Sequence, residues 1–221
     1  MKYTSILLLL FSMIISTGCF EVIEEVVLND DGSGQITMTV NLSQSKTKLS
    51  SIMLMDSINS YKVPNREEIE RNMSKMIKEI NGLPGVSNVN EKMDFSEYIF
   101  SVSCDFENVD ALNNIITHFS TGNYKATSKS QKQFTFDESQ KKFTRDYHYN
   151  LSRELDKVKR QDREVLQDAT ITTIHRFESD VTSSDNKLSK IAGNKKAVLL
   201  RVDVNDMING SETIKNSISL H

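Results

Sequence analysis

Two strand-like segments joined by six turn residues constrain this chain more than any other feature. Val22–Leu28 is rich in β-branched residues, and Ile36-Thr37-Met38-Thr39-Val40-Asn41-Leu42 alternates apolar and polar positions. Between them, Asn29-Asp30-Asp31-Gly32-Ser33-Gly34 is a hairpin turn whose glycines supply positive φ angles. Such a hairpin has one apolar face and needs a second layer to cover it. Glu21, Glu24 and Glu25 are read as its solvent side. The turn also imitates the start of a calcium loop, with oxygen donors at its first, third and fifth positions. The last position of such a loop needs a bidentate Glu and holds Val40, and both flanks are β-patterned, so the hairpin reading prevails.

Helical periods follow. Ser45–Met55 reads as a short helix with Leu49, Ile52 and Met53 inward. Asn65 with Glu68 forms a capping-box signature, and Ile69, Met73, Met76, Ile77 and Ile80 make one stripe that ends at Gly82 and Pro84. Strands near Val86–Met93 and Tyr98–Phe106 precede a helix over Val109–Phe119, and Phe134–Phe136 with Phe143–Tyr149 reads as a second hairpin. The order from Ile36 to Phe136 predicts an α+β fold. Its antiparallel sheet carries helices packed on one face, in a split βαβ (ferredoxin-like) arrangement in the central part, plus additional C-terminal strands at Ala169–Phe177 and Ala197–Val204. The organisation expected is a body over 19–150 with the N-terminal hairpin, a charged helical segment over 151–168, C-terminal strands of the same domain over 169–205, and a polar tail over 206–221.

Residues 1–18 differ from all of this. One cation, Lys2, precedes the apolar run Ile6–Ile15, which is too short to span a bilayer and ends in Ser16-Thr17-Gly18-Cys19. That segment resembles a bacterial lipobox: Ser16, Thr17 and Gly18 are the signal-peptidase recognition residues, and the Cys19 sulfur accepts a covalent diacylglycerol. Two acyl chains hold a protein to a membrane where one does so only marginally. The chain carries 27 Lys and Arg against 30 Asp and Glu. That balance offers no general attraction to nucleic acid. With Cys19 lipidated, Cys104 is the only remaining thiol, so stability must come from packing rather than a disulfide. Cys104 alternates with Phe100, Val102 and Phe106 and is expected to be buried and inert.

Catalytic signatures are sparse. His118, His148, His175 and His221 lie at no metal-pair spacing, and no Gly-rich phosphate loop or G-x-S-x-G occurs, so neither a metal, a further cofactor nor catalysis is expected. The span from Lys125 to Arg163 holds eleven Lys and Arg against six acids, interleaved with aromatics. Lys132, Lys141, Lys142, Phe143, Arg145 and Tyr147 are therefore the candidate contacts to an anionic headgroup or amphiphile. The competing reading is a solvated hairpin with its aromatics in the core.

The lipobox, the immediate strand, the Asp31-Gly32-Ser33-Gly34 turn and the late strands Ile171–Phe177 and Ala197–Val202 together resemble the LppM-type domain of bacterial envelope lipoproteins. The resemblance implies a non-catalytic envelope domain that binds lipid or another amphiphile. The expectation is a lipid-anchored protein of the cell envelope, on the periplasmic face or cell surface, with the membrane as first partner. A protein–protein accessory role in an envelope complex is the alternative, ahead of a hydrolytic enzyme.

Overall fold

In a computed structural model of the chain, residues 20–58, 61–121, 132–147 and 168–221 are described. The leader, the lipobox with Cys19, and the charged segment as far as residue 167 lie outside them. In chain order the elements are β1 (Glu21–Leu28), β2 (Gly34–Asn41), α1 (Lys46–Ile52), β3 (Ser57–Ile58), β4 (Tyr61–Lys62), α2 (Arg66–Asn81), β5 (Val86–Asp94), β6 (Ile99–Phe106) and α3 (Val109–Thr121). Then come β7 (Phe134–Asp137), β8 (Lys142–Arg145), β9 (Thr170–Phe177), β10 (Val181–Ser184), β11 (Lys190–Ile191), β12 (Ala197–Asp203), α4 (Val204–Asn209) and β13 (Asn216–Leu220). The fold is α+β. A seven-stranded sheet runs β11-β12-β9-β1-β2-β6-β5, a four-stranded sheet runs β10-β13-β8-β7, and β3 with β4 forms a small ribbon.

The first hairpin forms where its residues require. Gly32 adopts φ +81°, and the Asp31 carboxylate accepts from both the amide and hydroxyl of Ser33 at 2.9 and 2.6 Å. At Gly34 an added Cβ would stand 1.9 Å from the Val27 carbonyl oxygen, so no side chain fits there. Helix α2 carries the capping box: Glu68 N–H donates to Asn65 Oδ1 at 2.9 Å, and Asn65 N–H donates to Glu68 Oε2 at 3.1 Å. Cys104 is buried, and burial, helped by the Asp105 charge, pushes its thiol up to about 12. At neutral pH the thiol is therefore held in its protonated, weakly nucleophilic form.

The split βαβ is present as β2–α2–β5, with β6 inserted between the two parallel-running strands. Its fourth strand differs from expectation. The slot beside β2 belongs to β1, whereas Phe134–Phe136 sits in the second sheet as β7. β1 reaches across to β9 in a parallel pairing that runs from Glu21↔Thr170 to Leu28↔Phe177. A strand encoded at the start of the fold thus displaces the hairpin strand from the main sheet.

The polar tail also needs correcting. Ile214, Asn216, Ile218 and Leu220 are buried, and β13 is a central strand of the second sheet, paired to both β8 and β10. The Asn216 carboxamide oxygen accepts from Ser184 Oγ at 2.8 Å and from Asn186 N–H at 3.1 Å, which lets a polar residue serve as an inward position.

One apolar cluster joins the layers. Helices α2 and α3 contribute Ile80, Leu112 and Ile115, the main sheet Val26, Leu28, Ile36, Val102 and Phe106, and the second sheet Phe134, Phe143 and Ile218. Asn113 of α3 fastens the helix to β7. Its oxygen accepts from the amides of Gln133 and Phe134 at 2.7 and 2.9 Å, and its Nδ2 donates to the Phe134 carbonyl at 2.9 Å.

Between the sheets lies a buried ion pair. Glu24 of β1 faces inward, in phase with Val26 and Leu28, rather than outward with Glu21 and Glu25. Arg145 of β8 grips it through Nε and Nη2 at 2.9 and 2.8 Å, and its Nη1 donates to Gln133 Oε1 at 3.0 Å and to the Asp146 carbonyl. The guanidinium also stacks 4.6 Å from the Phe134 ring centre. His175 Nε2 is 3.6 Å from Glu24 Oε1, beyond hydrogen-bonding range. Burial is the largest single effect and raises the Glu24 pKa, but the Arg145 charge and hydrogen bonds, together with the neighbouring His175 ring, outweigh it and hold the carboxyl at about 2.

Arg145→Met leaves a buried carboxylate without its cation, so we expect it to cost about 3–5 kcal/mol in urea unfolding. Pairing it with Glu24→Leu should recover most of that loss. Because the folded pKa of Glu24 lies below its ordinary value, the pair stabilises fully above about pH 4.5 and loses its contribution as pH falls toward 2. Acid unfolding of the wild type should accordingly steepen in that window, and the double variant should lose this steepening.

Candidate functional site

The headgroup contacts expected on the β7–β8 hairpin do not assemble. Phe143 and Arg145 are buried, the first against Phe134, His175 and Phe177, the second on Glu24, so neither reaches a surface ligand. Tyr147 is half-buried against the Leu200, Val202, Met207 and Ile214 cluster. Lys132 is exposed and paired with Asp110 at 2.8 Å. Lys141 occupies the hairpin turn at φ +48°, and Lys142 is exposed opposite Asp137 in the ladder. Among the described residues, the depression beside this hairpin is lined by Asp31, Asp110 and Glu138 together with Lys132, whose ammonium is held by Asp110. Cys19, Ser16, Thr17 and Gly18 lie outside the described residues.

An apolar cavity of about 260 Å³ opens at the other end of the fold. Its volume is just below the ~300 Å³ at which small-molecule sites begin. Helix α1 supplies Leu49 and Ile52, with Met53 following at its C-cap. The β3–β4 ribbon and the segment after it add Ile58, Val63 and Pro64, the first turn of α2 adds Ile69, and the sheet supplies Leu42, Phe95, Tyr98 and Phe100. Lys62 is the one charged residue in the lining, and it is paired with Glu68.

Local chemistry explains why the cavity stays open. Helix α1 has seven residues and the ribbon strands two each, and none of them buries a residue completely. These elements are too short to close over the sheet, so they form walls and leave a gap. The floor is better fixed. In the β5–β6 turn, Asp94 Oδ1 accepts from Ser96 Oγ at 2.6 Å and from the amides of Ser96 and Glu97 at 2.9 Å each. The Ser96 hydroxyl and the Glu97 amide hold the Asp94 carboxyl below its usual range. Tyr98 follows at φ +55°, a left-handed conformation uncommon for an aromatic residue. Its carbonyl accepts from Leu42 N–H at 3.0 Å, and its phenol donates to Ser50 Oγ at 3.3 Å, tying the turn to α1. Phe95 packs edge-on to Phe100 at 5.3 Å, and the Arg66 guanidinium caps its other side at 4.4 Å.

The rim is apolar as well. Leu54 is 89% exposed, Met55 49% and Tyr61 52%, with Ile58 and Val40 close by in chain and ladder. Sequence periodicity placed Leu49, Ile52 and Met53 inward without revealing that they face a gap. The available signal was the pair Leu54-Met55, apolar yet out of phase with the helix stripe.

No family model and no curated protein matches this sequence. Among solved structures, the chain is similar to the folded domain of the Mycobacterium tuberculosis LppM protein, determined by NMR, at 11% identity and a TM-score of 0.41, with 93% of this chain and 91% of that one covered. Among the described residues no helix is long and apolar enough to cross a membrane, and no three His, Cys, Asp or Glu side chains cluster as metal ligands.

A cavity wall already lacks packing partners on one side, so truncating it should cost little. Ile52→Ala is expected to lose under about 2 kcal/mol, whereas Leu112→Ala in the closed core should lose ~2–5 kcal/mol. Urea titration of the two variants checks the contrast.

Proposed function

We propose that this chain is a lipid-anchored lipoprotein of the cell envelope whose body is a non-catalytic binding module for the acyl chain of an amphiphile. The apolar cavity between α1, the β3–β4 ribbon and the β5–β6 turn carries the reading. It is concave, nearly free of polar lining and open to solvent through an apolar rim. The lipobox-like Ser16-Thr17-Gly18-Cys19 supports the anchor, with a diacylglycerol on Cys19 as the covalent group. In this reading the Lys62–Glu68 pair marks the polar side of the cavity, where a polar head would sit while the chain enters.

Two observations support the non-catalytic part. Glu24 and His175 approach each other in the buried layer between the sheets, away from the cavity lining. A second His–carboxylate contact among the described residues, His118 with Glu79 at 3.3 Å, joins α3 to α2 and also lies outside that lining. The second reading, an accessory factor for an envelope protein, takes its support from the exposed apolar rim, which a partner could cover as well as a lipid.

Displacement of a fluorescent fatty acid by unlabelled amphiphiles tests the first reading. The mature protein should bind one chain per molecule. Ile52→Asn, which puts a carboxamide without a partner against the ligand, should weaken binding by tenfold or more. Unchanged affinity in that variant, or saturation at several chains per protein, would remove the cavity as the site.

A further inference from the structure

We infer that the end of the fold bearing Leu54, Met55, Ile58 and Tyr61 is a bilayer-contact surface, dipping into the headgroup–acyl boundary of the membrane that holds the anchor. This inference rests on the anchor at Cys19 and concerns the protein's orientation rather than its ligand. Three observations converge on it.

The first is the concentration of exposed apolar side chains. Seven large hydrophobic residues are exposed among the described residues: Val40, Leu54, Met55, Ile58, Tyr61, Ile191 and Leu199. Four of the seven fall within residues 54–61, and Val40 pairs with Phe100, which lines the adjacent cavity. Scattered exposed apolar residues need no explanation, whereas a contiguous group marks a contact surface.

The second is charge. From Ser43 to Arg66 the basic residues are Lys46, Lys48, Lys62 and Arg66, against Asp56 alone. Three of the four are held by carboxylates, Lys46 by Glu97, Lys62 by Glu68 and Arg66 by Glu70, so the apolar tip is flanked by ion pairs rather than by a net positive charge. Ion-paired, long side chains around an apolar tip, with a tyrosine beside them, suit the zwitterionic headgroup layer: the stems lie along apolar groups and the charged ends stay at headgroup depth. The partner that fits this arrangement is a phospholipid bilayer, selected by the apolar tip and the adjacent tether and not by net charge.

The third is where the chain enters. Phe20 lines a second depression together with Glu21, Asn41 and Gln44, and Gln44 lies two residues before α1. Glu21 is paired with Asn41, and the next residue, Leu42, is part of the apolar cavity wall. One strand spacing of ~4.8 Å and one residue along the strand therefore separate the start of β1 from the cavity. Cys19 is the neighbour of Phe20, and two extended residues reach only ~7 Å. A diacylglycerol there pulls this end, and not the opposite one, against the headgroups.

The chain contains no tryptophan, so a single introduced indole reports its own depth. Lipidated full-length Leu54→Trp and Leu199→Trp variants, each reconstituted in vesicles of mixed zwitterionic and anionic phospholipid, are compared with lipids brominated along the acyl chain. Strong quenching with a blue-shifted emission in Leu54→Trp, and little of either in Leu199→Trp, is the expected result. Equal quenching of the two, or none in Leu54→Trp while the protein floats with the vesicles, overturns the orientation and leaves the fatty-acid result untouched. Emission from Leu54→Trp that is shielded without vesicles and rises with protein concentration assigns the patch to a second copy and also overturns it. Failure to float refutes the anchor, and with it this inference, while fatty-acid displacement in solution still reports on the cavity.

Discussion

The pair between Glu24 and Arg145 is the constraint to which the two-layer arrangement answers. It joins β1, near the centre of the main sheet, to β8 in the second sheet, across 121 positions of sequence. A charge pair in the core adds little net stability over apolar residues of the same shape, but leaving either member alone is costly. The consequence is selective rather than additive. A slip of β1 by one residue would turn Glu24 to the outer face and strand Arg145, so the pair penalises the wrong register. It also requires β8 to face β1 and β9, which fits the displacement of β7 from the main sheet into the second. His175, packed edge-on against Phe134 and Phe143, fills the space beside the pair without bonding to it.

The same division explains why the cavity lies where it does. Around the ion pair and the apolar cluster, every layer has a partner: α2 and α3 cover one half of the sheet, and the second sheet covers the other. Beyond the ends of β2 and β6 only short elements remain. Helix α1 and the β3–β4 ribbon do not reach a second layer of their own, and their side chains stay half-buried at best. Regions with few buried apolar contacts open at lower free energy than the core, which on the proposed reading suits the entry of an acyl chain. The turn beneath is held more firmly, through Asp94 and the left-handed Tyr98, so the cavity has a fixed floor and a looser wall.

The legible parts of the fold were those whose cause is local. The Asp31–Gly34 turn, the Asn65–Glu68 capping box and the burial of Cys104 in its alternating strand all follow from neighbours within a few residues, and each is present. Glu24 shows the limit. Its phase with Val26 and Leu28 put it on the core face, but an acidic residue there makes sense only with a cation, and Arg145 is far away in sequence. The basic span around Arg145 read as a surface for the same reason, since its buried acceptor was out of view. The tail failed differently. β13 has Ile218 and Leu220 as its only apolar residues, and the inward position of Asn216 depends on hydrogen bonds from the β10 side. The cavity was the least legible of all, because a gap is a property of lengths that fail to meet, and no single residue encodes it.

The exposed rim also becomes physically reasonable once a tether is considered. Keeping Leu54, Met55 and Ile58 in water forgoes roughly 25 cal/mol for each Å² of apolar surface that could be buried. A free soluble protein gains nothing from that arrangement and risks association through it. A domain held within a few ångströms of a bilayer is in a different situation. A short tether presents the membrane at an effective concentration of order mM, so a patch too weak to bind on its own is engaged for most of the time. For a domain tethered in that way the patch needs only modest apolar area. On the proposed reading, a lipid chain leaving the bilayer would pass from one apolar medium to another along the wall made by α1 and the ribbon. It would not have to cross water, and that is where placing the cavity beside the start of β1 has its mechanical use.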